Sequence, residues 1–214
     1  MTVGMIIFKY RHNLLFLMRR TRDSGKKINK IMVYLMGFIM VGSIFGVVFF
    51  GFGSGGGTGS VKYNDFKFVN KGSFWSTTFD GREASFTYFP SDVEFIEVNN
   101  DIIGRLKNKI EIDATSDFND AFAKQISLAE YNMGITLNNF NVFVRQGFTA
   151  ENDYDFPVIT CENATDFVPV IYFKSFNETK VYLENSCIIA EALRQDDIER
   201  IKDRLVYGML GIIE

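Results

Sequence analysis

Hydrophobic and polar residues follow three patterns along the chain. From Ile31 to Phe52 runs an uncharged, almost wholly apolar stretch, closed by the glycine-rich segment Gly53–Ser60. As a helix the stretch would extend about 33 Å, against a hydrocarbon core of about 30 Å. It predicts one transmembrane helix over residues 31–52. After Ser60 the pattern shortens to alternation. Phe66 and Phe68 alternate with polar neighbours, and the runs Phe74–Phe79 and Arg82–Phe89 flank Asp80-Gly81. Asp-Gly suits a tight turn that needs positive φ at both central residues, so these runs predict a β-hairpin.

Farther along, apolar positions recur at spacings of three and four. Phe118, Ala121, Phe122, Ile126 and Leu128 or Ala129 predict a helix over 117–132, with Gly134 closing it. Ile198, Ile201, Leu205 and Met209 predict a terminal helix. Capping boxes are expected at Ser91 with Glu94 and at Asp196 with Glu199. Asn99-Asn100 interrupts the first of these helices or divides it from a second one near Asp101. Short strands are expected at 110–112, 141–145, 157–160, 168–173, 180–183 and 187–192. The first two, joined through a helix, should lie parallel. The expected fold is therefore α+β: an N-terminal single transmembrane helix, then one compact domain with a mixed, mainly antiparallel sheet and about three helices.

Charge turns this pattern into an expected topology. The full chain carries −3, yet residues 1–30 carry +7, leaving −10 for everything after them. Basic residues beside a membrane span stay on the cytoplasmic side. The reading is a basic cytoplasmic tail (1–30), a signal anchor (31–52), a Gly/Ser linker (53–60) and an extracytoplasmic domain (61–214). A cleaved leader would have a shorter apolar part and a small-x-small site; here no Ala-x-Ala closes the run. The location expected is the cell membrane, single-pass, with the lipid bilayer as partner through residues 31–52.

Candidate chemistry is sparse. Cys161 and Cys187 are the only cysteines, and in an outside domain such a pair reads first as a disulfide. Asn163-Ala-Thr and Asn177-Glu-Thr match the N-glycosylation pattern, so Asn163 and Asn177 are possible glycan sites. The lone histidine, His12, lies in the tail, which leaves the domain without a histidine for a nucleophilic relay or a zinc site. Asp113, Asp117 and Asp120 cluster at the expected end of a strand. They could bind Mg²⁺ or Ca²⁺ there, although capping by Ser116 or Asp117 is the plainer role. Glu151, Asp153 and Asp155 around Tyr154 read as a solvated acidic loop. No motif calls for a nucleotide, haem, flavin or other cofactor, and net negative charge disfavours nucleic acid. The functional expectation is a membrane-tethered protein-interaction or assembly module, with a protein partner or a second copy of itself. The alternative is an extracytoplasmic small-ligand or divalent-metal binding protein, or a hydrolase, using the Asp113/Asp117 strand end.

Overall fold

Asp80 and Gly81 take left-handed φ values of 48° and 77°, and the strands on either side meet directly, Phe79 opposite Arg82. In the structure, a computed structural model that describes residues 30, 32–40 and 59–213, this turn joins β3 (Trp75–Phe79) to β4 (Arg82–Phe86). Strands β1 (Ser60–Tyr63) and β2 (Phe66–Asn70) precede them, and the four form an antiparallel meander in chain order. Alternation then sends Phe68, Ala84 and Phe86 to the buried side. A 3₁₀ turn, Pro90–Asp92, and helix α1 (Asn100–Leu106) lead away from the meander. Asn99 caps α1 by accepting from the Asp101 amide at 2.9 Å.

A second sheet is built from β5 (Glu111–Ser116), β6 (Phe143–Phe148), β7 (Val170–Ser175), β8 (Lys180–Glu184) and β9 (Cys187–Ala192). Its order is β6-β5-β7-β9-β8. Helix α2 (Ala123–Asn138) carries the chain from β5 to β6, and helix α3 (Gln195–Met209) follows β9. A 3₁₀ turn at Cys161–Asn163 precedes β7, and a disulfide joins Cys161 to Cys187 at the start of β9.

The α+β class holds, but its expected form needs correction. Among the described residues there are two sheets, and in the second only β8–β9 is antiparallel; β5–β6, β5–β7 and β7–β9 are parallel. The parallel β5–β6 pair agrees with expectation; the parallel β5–β7 and β7–β9 pairings were not legible, because β5 continues through polar Asp113, Thr115 and Ser116, all of them buried. The helix expected over 117–132 begins at Ala123 and runs past Gly134. Asp117 and Asp120 instead accept from the amides of Asn119 and Phe122 at 2.8 and 2.7 Å, holding that segment in turns. Neither expected capping box forms. Pro90–Asp92 is a 3₁₀ turn, and α3 starts after Arg194, both without a side-chain cap.

The membrane reading is also corrected. Among the described residues no helix is long and apolar enough to cross a membrane. The chain divides into two units, Met1–Gly57 and Thr58–Glu214. In the first, helix is described at residue 30 and over 32–40. The remainder of the 31–52 run, with the 1–29 tail and most of the linker, lies outside the described residues. The signal anchor, the bilayer partner, the single-pass topology and the outside location all rested on that span and fall with it.

Helix α3 holds the second unit together. Ile198, Ile201, Leu205 and Val206 enter a core shared with both sheets. Tyr207 stacks on Phe86 of the meander at 3.9 Å and donates to the Tyr88 carbonyl at 2.7 Å. Charges are buried on the same helix. Lys202 pairs with Asp203 at 2.5 Å and with Glu199 at 3.1 Å, and Asp203 accepts from the Tyr88 amide at 2.8 Å. Burial pushes the Asp203 carboxyl up to about 6, against the pull of the Lys202 ammonium. Truncating Asp203 would leave the Lys202 charge and the Tyr88 amide without this acceptor. Asp203→Ala is therefore expected to cost about 3–5 kcal/mol in urea unfolding, whereas Lys202→Met with Asp203→Leu should cost clearly less.

Candidate functional site

The acidic cluster expected at a strand end does not form a site. Asp113 is the third residue of β5, buried, and held by a bidentate pair with Arg145 of β6 at 2.8 and 2.7 Å. Its hydrogen bonds raise the Arg145 pKa above the ordinary value. Asp120 bridges β5 to β7, accepting from the Ser175 amide and hydroxyl at 2.9 and 3.0 Å. Asp117 only turns the backbone. Among the described residues no group of three or more metal-ligating side chains could hold a metal ion, so the metal reading and the Asp113/Asp117 site are withdrawn. Asn163 is exposed, its Oδ1 accepting from the Thr160 amide at 2.8 Å, and Asn177 is exposed in the turn between β7 and β8.

A different set of residues converges where α2 crosses the end of β6. Here a cleft of about 330 Å³ is lined chiefly by Phe118, Phe148, Tyr154 and Phe156, with Lys124 and Glu130 of α2 as ionisable side chains. Phe148 is the hub, with ring centroids 6.0 Å from Phe118, 6.0 Å from Tyr154 and 5.4 Å from Phe156. These separations suit edge-to-face aromatic packing.

Local sequence explains why the rings meet. At Gly147 an added Cβ would lie 2.6 Å from Ile159 Cδ1 and 2.7 Å from the Pro157 carbonyl oxygen. Glycine alone lets residues 157–159 close against the β6 end, where the Phe148 amide donates to the Pro157 carbonyl at 3.0 Å. The loop before Pro157 is folded around Asn152. Its Oδ1 accepts from the Tyr154 amide at 3.0 Å, and its Nδ2 donates to the Phe156 carbonyl at 3.0 Å. Asp155 supplies the positive φ of 58° between them. The loop expected to present Glu151, Asp153 and Asp155 thus presents two aromatic rings as well. Below it, the Cys161–Cys187 disulfide and a Thr115 hydroxyl donating to the Ile159 carbonyl at 2.7 Å hold the segment on the sheet.

Glu130 supplies the cleft's unusual chemistry. It is 2% exposed, and its Oε1 has no hydrogen-bond partner. Burial pushes its carboxyl up to about 8. At neutral pH it is thus largely a protonated acid, able both to donate and to accept. Sequence reasoning passed over it, although the signal was present: Glu130 falls among Ile126, Ala129, Met133 and Leu137 on the buried stripe of α2.

Comparison with protein-family models, with curated proteins and with solved structures finds no match.

Burial holds the Glu130 carboxyl at about 8, above its ordinary value of 4.5, so the folded chain binds the extra proton. Its contribution to stability is greatest below about 4.5 and declines by about 1.4 kcal/mol per pH unit as pH rises toward about 8. Glu130→Gln should flatten that decline and raise neutral-pH stability by on the order of 2 kcal/mol, read by urea unfolding across this range. Gly147→Ala should cost about 1–3 kcal/mol by overpacking, and should shift the Tyr154 and Phe156 ring resonances in NMR spectra.

Proposed function

We propose that the domain is a binding module for a small organic molecule, taken up in the cleft between α2, the end of β6 and the 150–157 loop. The observation that carries this reading is the buried, unpartnered Glu130 Oε1 in the wall of an aromatic-lined cleft. A buried polar atom without a partner costs about 1–3 kcal/mol, which a ligand bearing a complementary group would recover on binding. The cleft volume, about 330 Å³, falls within the range of small-molecule sites, and its lining has their usual character: apolar walls with few polar groups. The ligand has an apolar, ring-sized body that lies against Phe148 and its neighbours, and a polar head that reaches Glu130. The position also suits binding, because the carboxyl ends of parallel strands leave side chains of the following segments open to a crevice.

The test is a titration of the full chain with phenyl compounds bearing hydroxyl, amide, carboxylate or ammonium heads, followed by ¹⁵N–¹H and aromatic NMR. At least one compound should produce saturable shifts at Gly147, Phe148, Tyr154 and Phe156, and Phe148→Ala should weaken its binding about tenfold. Shifts confined to other surfaces, or an affinity that Phe148→Ala leaves unchanged, would end the proposal.

A further inference from the structure

Resting on that reading, we infer that the head group recognised in the cleft is an organic ammonium, and that its binding ionises Glu130 with release of one proton. A carboxyl oxygen without a partner and several aromatic rings share one small wall. Ring faces attract cations through their quadrupole, and a carboxylate is the natural counter-charge. Together they describe a site for a positive head on an apolar body.

The surrounding charges leave this role to Glu130. Lys124 and Tyr154 are the other ionisable groups of the cleft wall, and burial is the cause of the Glu130 shift. On α3, Glu199 accepts from Asn132 at 3.0 Å and Lys202 is engaged with Asp203. On β5 and β6, Asp113 and Arg145 neutralise each other. On β7, Lys174 pairs with Glu191 at 2.9 Å. On β4, Glu83 accepts from the Ser76 hydroxyl. Glu151, Asp153 and Asp155 of the 150–157 loop are exposed to solvent, so among the residues lining the cleft a cation meets the single carboxyl of Glu130, which must first lose its proton.

The exchange balances simply. The O–H bond of the Glu130 carboxyl breaks and its proton passes to solvent. The carboxylate then accepts a hydrogen bond from the incoming ammonium, whose nitrogen keeps all its protons. Because burial holds the carboxyl up to about 8, the ionised fraction grows with pH below that value, and affinity grows with it. An anionic ligand held by Lys124 would show the opposite trend or none.

The deciding experiment titrates the full chain with 2-phenylethylammonium, 2-phenylethanol and 3-phenylpropionate by calorimetry, in buffers of different ionisation enthalpy. The ammonium should bind most tightly, release close to one proton at pH about 6, and gain about tenfold in affinity per pH unit until pH about 8. In Glu130→Gln the affinity should fall at least tenfold at pH about 8, and both the proton release and the pH slope should vanish. Equal or tighter binding of the alcohol or the carboxylate at the cleft would overturn the ammonium inference while leaving the binding module intact. Absence of ammonium binding, or binding without proton release, would overturn it as well. Shifts that map away from Phe148 for all three probes would overturn both proposals.

Discussion

The fold depends on one helix that must satisfy two sheets at once. Helix α3 has apolar side chains for the shared core and, on the same buried length, Lys202, Asp203 and Tyr207. An amphipathic helix normally turns its charges to water. Here they stay inside because they have assigned partners: Asp203 takes the Tyr88 amide, Tyr207 takes the Tyr88 carbonyl, and Lys202 takes Asp203 and Glu199. Asp203 and Tyr207 therefore bear directly on the chain just after the meander, and Lys202 does so through Asp203. Pure apolar packing would allow the four-stranded sheet to slide over the helix. Directional bonds to one residue's backbone remove that freedom.

The second sheet is buried on two sides by different means. Its helix face uses aliphatic residues such as Ile112, Ala114, Ile171 and Ile188. The opposite side carries Asp113, Thr115 and Glu191 in its strands, each with a strong partner. A polar strand face of this kind cannot be covered by an oily helix without stranding its polar atoms. It is covered in part by the 157–170 segment, whose backbone carbonyls can accept from it and which the disulfide pins to β9. That covering segment places Pro157 and Ile159 against Gly147, and so raises the aromatic loop beside the end of β6. Sheet chemistry and cleft geometry have a common origin.

This also accounts for what sequence alone could convey. The Asp80-Gly81 hairpin, the stripe of α3 and the position of β9 were legible because each rests on local rules: turn sterics, a 3.6-residue period, a short apolar run. The pairing order was not, because β5 carries Asp113 and Thr115, residues that look exposed until Arg145 and Ile159 are brought to them. The start of α2 was misplaced for a related reason. Asp117 and Asp120 resemble caps, yet their carboxylates bind turn amides and leave the helix to begin at Ala123. The apolar run from Ile31 invited a membrane topology that no described helix supports. The cleft itself could not be read at all from spacing, since Phe118, Phe148, Tyr154 and Phe156 come from three segments. Only Glu130 was within reach, as a carboxylate on a buried stripe.

Glu130 is also where the structure departs from what stability alone would favour. Among the described residues every other buried carboxylate, Asp113, Asp197, Asp203 and Glu191, lies beside a cation. Those pairs show that this chain can neutralise a buried acid when the acid serves the fold. A leucine or glutamine at position 130 would fill the same space on α2 without the cost of burying an ionisable group. The residue is nevertheless a glutamate, on the buried stripe of α2 and in the wall of the cleft. Local destabilisation of this kind is characteristic of groups kept for an encounter with something outside the chain. The missing partner of Glu130 is thus better sought among ligands than among the protein's own side chains.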